Sequence, residues 1–127
     1  MYPFMYVFMY LWPRLANVAQ VLTAVYNLRM YSVKPLPEFT EWLNTIKDGL
    51  TKRHLAHRLE KAQNGNLGDV QPVGEGVSEM REHFGRGWRM YYVQRGDVLI
   101  VMLGGGPKST QQQDIKAAIA RSKILED

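Results

Sequence analysis

The fold class this sequence predicts is a small α+β domain. It carries a mainly antiparallel sheet, an N-terminal helical hairpin and a C-terminal helix, in the order β-α-α-β-β-β-β-α. Three observations predict it. Apolar residues recur at spacings of three and four between Leu36 and Ala62, as one face of a helix requires. Strand-like runs between Val77 and Leu103 are punctuated by Gly85-Arg86-Gly87 and Arg95-Gly96-Asp97, which supply the positive φ of tight turns. A glycine run, Gly104-Gly105-Gly106, then separates the last strand from a helical pattern.

The elements follow in order. Met30-Tyr31-Ser32-Val33-Lys34 reads as a short strand ended by Pro35 and Pro37, and Pro37 suits the first turn of a helix. Leu36, Phe39, Leu43, Ile46 and Leu50 form the apolar face of that helix, and Gly49 ends or bends it. A second helix spans about residues 50–62, with Leu55, Leu59 and Ala62 inside and Lys52, Arg53, Arg58 and Lys61 mostly outside. Asn64-Gly65-Asn66-Leu67-Gly68-Asp69 is a loop by composition. Residues 70–73 read as an edge strand, where Pro72 is tolerated.

Taking Gly85-Arg86-Gly87 as a three-residue loop sets Phe84 opposite Trp88, His83 opposite Arg89 and Arg81 opposite Tyr91. Arg81, His83, Arg89 and Tyr91 then share one face, a poor core and a good anion site, while Phe84, Trp88, Met90 and Tyr92 line the other. Glu82 falls on that inward side, which either argues against this register or implies an inward charge with a partner. The unbroken run Val98-Leu99-Ile100-Val101-Met102-Leu103 is expected to be a central strand covered on both faces. The glycines and Pro107 are expected to stop the sheet. Ser109 with Gln112 has capping-box spacing for a helix whose apolar face is Ile115, Ala118, Ile119 and Ser122.

Composition sets outer bounds. A chain of 127 residues forms one domain by size. The absence of cysteine excludes a disulfide framework and a thiolate metal site, and fits a reducing, cytoplasmic setting. Net charge is +4, with all 12 acids after Met30. Such mild basicity is compatible with nucleic acid without demanding it.

Residues 1–29 differ in character from the domain at 30–127. Met-rich, aromatic and uncharged to Pro13, the segment lacks the basic n-region of a secretory signal. Its apolar run is shorter than the roughly 20 residues a bilayer span needs. Three readings stand: upstream sequence ahead of a start at Met30, a helix that packs on the domain or a partner, or a membrane-surface anchor.

Ser78-Glu79-Met80-Arg81, Gly87-Trp88-Arg89-Met90-Tyr91-Tyr92 and Gly104-Gly105 followed by Lys108-Ser109-Thr110-Gln111, in this order and spacing, are the most specific stretches. Across residues 30–125 the pattern resembles the RelE/ParE toxins of bacterial type II toxin–antitoxin modules, nearest to the HigB-like addiction module killer group. The resemblance implies a RelE-like fold and a cognate antitoxin, commonly a helix-turn-helix, HigA-like repressor. For the RelE side it implies cleavage of mRNA on the ribosome. The ParE branch implies instead a DNA gyrase inhibitor, and a degenerate toxin acting only as an antitoxin-binding module is a third reading.

Metal-free RNA cleavage needs a base for the 2′ proton, cations for the phosphate and an acid for the 5′ oxygen, and it calls for no cofactor. Arg81 is the first candidate for the phosphate, matching the arginine of the nuclease branch, since a guanidinium fork binds two oxygens. Arg89 shares its predicted face and matches a second recurring arginine, or else forms a sheet-to-loop ion pair with Glu79 or an acid elsewhere. Lys108 stands where a strand meets a helix start, suited to an anion or simply solvated. His83 is a candidate acid or base by its ordinary pKa, or structural. Tyr91 stacks on a base or positions a proton, or is a half-buried sheet tyrosine. Glu79 is a weaker candidate base, since the same cations would depress it. Lys52, Arg53, Arg58 and Lys61, with His54 and His57 among them, form a face for ribosomal RNA or for solvent. The antitoxin is expected to cover the face from Arg81 to Lys108 or to hold the toxin off the ribosome.

Overall fold

A computed structural model of the chain describes Val18 and residues 30–125. The expectations for residues 1–29 therefore lie almost wholly outside the described residues. The body at 31–127 is α+β. Its elements are β1 (Ser32–Pro35), α1 (Pro37–Thr45), α2 (Gly49–Gln63), β2 (Val70–Gly74), β3 (Val77–Arg81), β4 (Arg89–Arg95), β5 (Leu99–Gly106), a 3-10 turn (Lys108–Thr110) and α3 (Gln111–Ile124). The five strands lie in the order β1-β5-β4-β3-β2. All neighbours are antiparallel except β1 and β5.

The sheet carries a core on each face. Met80, Met90, Tyr92, Ile100 and Met102 pack with Phe39 of α1 and Leu55 and Ala62 of α2. Val77, Tyr91, Val93, Val101 and Leu103 pack with Ala118 of α3 on the opposite side. Alternation along β4 and β5 assigns successive residues to the two cores, so β5 is apolar throughout.

The β3–β4 register differs from the expected one by two residues. Arg81 pairs with Arg89 and Glu79 with Tyr91, because the connection runs from Glu82 to Trp88, closed by Glu82 N–H donating to Trp88 O at 2.9 Å. An even slip preserves the faces, so Phe84, Trp88, Met90 and Tyr92 do pack on one side together. What changes is the character of the other side, which is a second core under α3.

The glycine run does not stop the sheet. β5 continues through Gly106, and each glycine makes room for a side chain lying directly on the strand: Arg121 at Gly104, Trp42 at Gly105 and Asp114 at Gly106. Nor does Ser109 form a capping box. The cap position of α3 is Thr110, whose hydroxyl donates to Asp114 Oδ2 at 2.6 Å. The first helix stops at Thr45, and Asp48 caps α2, where the Thr51 hydroxyl first and Leu50 N–H second pull its pKa down.

Arg58 requires the largest correction. It lies in the buried stripe of α2 with Thr51, Leu55 and Ala62, only 6% exposed. Its guanidinium donates to Leu67 O through both Nε and Nη2, to Asp69 O, to Arg81 O, and to Glu82 Oε1 at 2.7 Å. The inward Glu82 thus has its partner. Gly68 is held at φ +71° with the guanidinium 2.9 Å from where a Cβ would stand, so a side chain there would strain the backbone and push the guanidinium from its place.

Breaking a buried ion pair from one side costs about 3–5 kcal/mol. Arg58→Ala is expected to lower the urea unfolding free energy by an amount in that range. Arg58→Lys, with fewer donors, should recover only part of it.

Candidate active site

The exit of α2, the start of β2 and the end of β3 bring three charged groups together. Asp69 precedes β2 and its carbonyl accepts from Arg81 N–H at 3.0 Å, which fixes the two backbones. The Asp69 carboxylate then bridges two side chains. Arg81 Nη2 donates to Oδ1 at 2.8 Å, and His83 Nε2 lies 2.6 Å from Oδ2. With Nε2 protonated toward the carboxylate, His83 Nδ1 is left as the proton acceptor. Hydrogen bonds from Arg81 first, and from His83 second, hold the Asp69 carboxyl down at about 2. The same carboxylate raises the pKa of Arg81. His83 is 69% exposed and Arg81 31%, so both reach the rim.

Beneath this rim lies a buried polar tier. Arg89, 8% exposed, donates through Nη1 to Gly87 O at 2.6 Å, and its Nε stands 3.9 Å from Glu79 Oε2. Glu79 is buried and accepts from Gln111 Nε2 at 3.0 Å, at the first residue of α3. Gly87, at φ +70°, is tightly flanked: a Cβ there would sit 3.0 Å from Arg89 Nη1 and 3.2 Å from Lys108 Cβ. Arg89 Nη1 and Lys108 Cβ thus both approach Gly87. Lys108 N–H also donates to Arg86 O at 3.2 Å, while its side chain is exposed and has no carboxylate partner among the described residues. An open depression of about 380 Å³, lined by Lys108, Ser109, Thr110 and the three glutamines that open α3, lies beside it.

The structure therefore brings Arg81 and His83 together on Asp69, sets Arg89 opposite Arg81 on β4, and places Lys108 against Gly87 on the Arg89 side. Tyr91 is not part of that surface. Its side chain is fully buried under α3, its hydroxyl has no hydrogen-bond partner among the described residues, and burial, then the charge of Glu79, pushes its pKa up. It is a core residue out of reach of any substrate. Arg58 likewise leaves the basic face of α2, where Arg53 and Lys61 are exposed and Lys52 half-buried. His54 packs on Phe84, ring centroids 4.2 Å apart, and lies 3.5 Å from Glu82, placing α2 beside the His83 loop.

Sequence reasoning missed Asp69, which it left within a loop. Its only local signal was a carboxylate at the end of a glycine- and asparagine-rich stretch. The fold alone shows that this loop closes around Arg58 onto the end of β3. Chemically, the arrangement offers guanidinium N–H donors at Arg81 and a ring nitrogen of His83 at the rim.

No family model matches the chain. A curated protein of Haemophilus influenzae is 38% identical over 86 residues, covering 68% of this chain and 87% of that one; its name there is "Uncharacterized protein". The chain belongs to the same family as this Haemophilus protein. The match spans most of the relative's length, so it is a domain-wide kinship rather than a shared motif.

Two measurements check the geometry. Asp69 should titrate near 2 by carbon NMR, and in Arg81→Ala it should move up toward the ordinary aspartate value of about 3.9. Because the folded value is the lower one, the interaction stabilises the fold above about pH 4 and is lost as pH falls through about 2. Tyr91→Phe removes a buried hydroxyl that lacks a partner, so stability should hold or rise by about 1 kcal/mol; a loss would show that the hydroxyl is satisfied.

Proposed function

We propose that this chain is the toxin of a type II toxin–antitoxin module, a RelE-like, HigB-like endoribonuclease that cuts mRNA on the ribosome. The observation that carries the reading is the Asp69-bridged pair of Arg81 and His83 at an open rim. Such a set supplies what metal-independent RNA cleavage needs. Arg81 and Lys108 take the nonbridging phosphate oxygens as negative charge builds on them. His83 Nδ1 accepts the 2′-hydroxyl proton, with Asp69 fixing the ring and balancing its charge. The 2′ oxygen forms its bond to phosphorus, the bond to the 5′ oxygen breaks, and water at the open rim protonates the leaving oxygen. A 2′,3′-cyclic phosphate and a 5′-hydroxyl result.

Arg89 acts here through Arg81 and Gly87 rather than on the RNA, because it is buried. Lys52, Arg53 and Lys61 on α2 flank the site and suit sequence-blind contact with ribosomal RNA. The ribosome would hold the mRNA in place, supplying orientation that a small site need not provide itself. The partner implied is a cognate antitoxin, of the helix-turn-helix HigA-like kind, that covers the surface from Arg81 to Lys108. The alternative gyrase target has no observation of its own in its favour.

Brief induction of the full chain followed by primer-extension mapping tests this. New mRNA ends confined to translated frames are expected with the wild type. Arg81→Ala should reduce them by about 10²–10³-fold, the usual effect of removing one group that stabilises transition-state charge. Growth arrest without new RNA ends would overturn the nuclease reading and direct attention to DNA supercoiling.

A further inference from the structure

A second concavity lies on the α1 side of the Arg86 loop. It encloses about 420 Å³, within the roughly 300–1,000 Å³ range of small-ligand sites. Its walls are the indoles of Trp42 and Trp88, with Ile46 and Pro107, and its rim carries Lys47 and Arg86. The two rings stand 6.3 Å apart, inclined at 55°. Trp42 lies directly on the backbone at Gly105, where no side chain could be accommodated, so its ring is held in place by the strand beneath it. The Arg86 guanidinium stands over Trp88 at 5.6 Å.

Its charges favour an anionic occupant. Neither Lys47 nor Arg86 has a carboxylate partner among the described residues. The one acid in the lining, Asp48, is already engaged by Leu50 N–H and the Thr51 hydroxyl as the cap of α2. Aromatic walls with cations at the rim that lack a carboxylate suit a planar base attached to a phosphate, since bases stack on indoles and guanidinium planes while the backbone takes the cations. The groove also adjoins the candidate active site. Arg86 O accepts from Lys108 N–H, and Pro107 in its wall is the residue before Lys108.

We infer that the Trp42–Trp88 groove is a nucleobase subsite, which takes the base of the RNA nucleotide next to the phosphate held by Arg81 and Lys108. This deepens the nuclease reading and rests on it. Arg86 would swing from Trp88 onto the entering nucleotide, and Lys47 would take the following phosphate. Neither Trp42 nor Arg86 touches the reacting atoms, so the subsite acts by holding the strand in register.

The test uses the full chain with programmed ribosomes and two mRNAs, one intact and one with an abasic nucleotide beside the mapped cut. Loss of a stacked base should slow wild-type cleavage about 10-fold. In Trp42→Leu the intact mRNA should be slowed to a similar degree, with little further loss from the abasic nucleotide, because both changes remove one contact. Arg86→Ala, at an exposed position, carries the same comparison should Trp42→Leu fail to fold. Equal wild-type rates on the two mRNAs, or fully additive losses, overturn the subsite and leave the nuclease reading intact. No cutting of intact mRNA by the wild type sinks that reading and the subsite with it. Variants that cut normally but escape the antitoxin would overturn the subsite and assign the groove to the antitoxin.

Discussion

The Arg58 guanidinium is the interaction on which the geometry of this molecule turns. A charge withdrawn from water must find both a counter-ion and acceptors for its protons. Arginine has five N–H donors, and here all five are used: two on Leu67 O, one each on Asp69 O and Arg81 O, and one on Glu82. Those acceptors belong to the loop after α2 and to the end of β3, so one buried side chain ties the two together beside the apolar contacts that Leu67 and Met80 make in the same core. It also fixes where Asp69 stands, and Asp69 fixes Arg81 and His83. Through that chain of bonds, the helical hairpin sets the geometry of the rim.

The fold was legible because its signals are local. Leu55, Leu59 and Ala62 mark a helix face whatever surrounds them, and the run from Leu99 to Leu103 has no polar side to expose. The faces of β3 and β4 were legible for a subtler reason. The loop is longer than its glycines suggest, yet by an even number of residues, so parity survived while pairing did not. The glycine run was misread because a missing side chain serves a turn and a close approach equally well. Only the positions of Arg121, Trp42 and Asp114 show that here it serves approach.

The site was legible in its cations and illegible in its anions. Arg81 and Arg89 meet by strand pairing, and His83 follows β3 by two residues, so these three lie close in a stretch readable from the sequence. Asp69 comes from a loop whose path depends on Arg58, and Arg58 itself was placed outward because a cation on an amphipathic helix usually is. Tyr91 failed for a different reason. Alternation put it on the correct face, and nothing local revealed that α3 covers that face.

The two arginines that pair across β3 and β4 repel each other, and the protein offsets them with two carboxylates of unlike accessibility. Glu79 is buried, hydrogen-bonded by Gln111 and near Arg89, so nothing from solvent can take its place. Asp69 is on the rim, and its hold on Arg81 is a single 2.8 Å bond in contact with water, a kind of ion pair that contributes little net free energy. An anion arriving from solvent would therefore compete with Asp69 for Arg81, and not with Glu79 for Arg89. Released from Arg81, the Asp69 carboxylate would still hold His83. The same pair of carboxylates thus separates the arginine that shapes the site from the arginine that can face a substrate, a division that the sequence, with Arg81 and Arg89 eight positions apart on one face, leaves undecided.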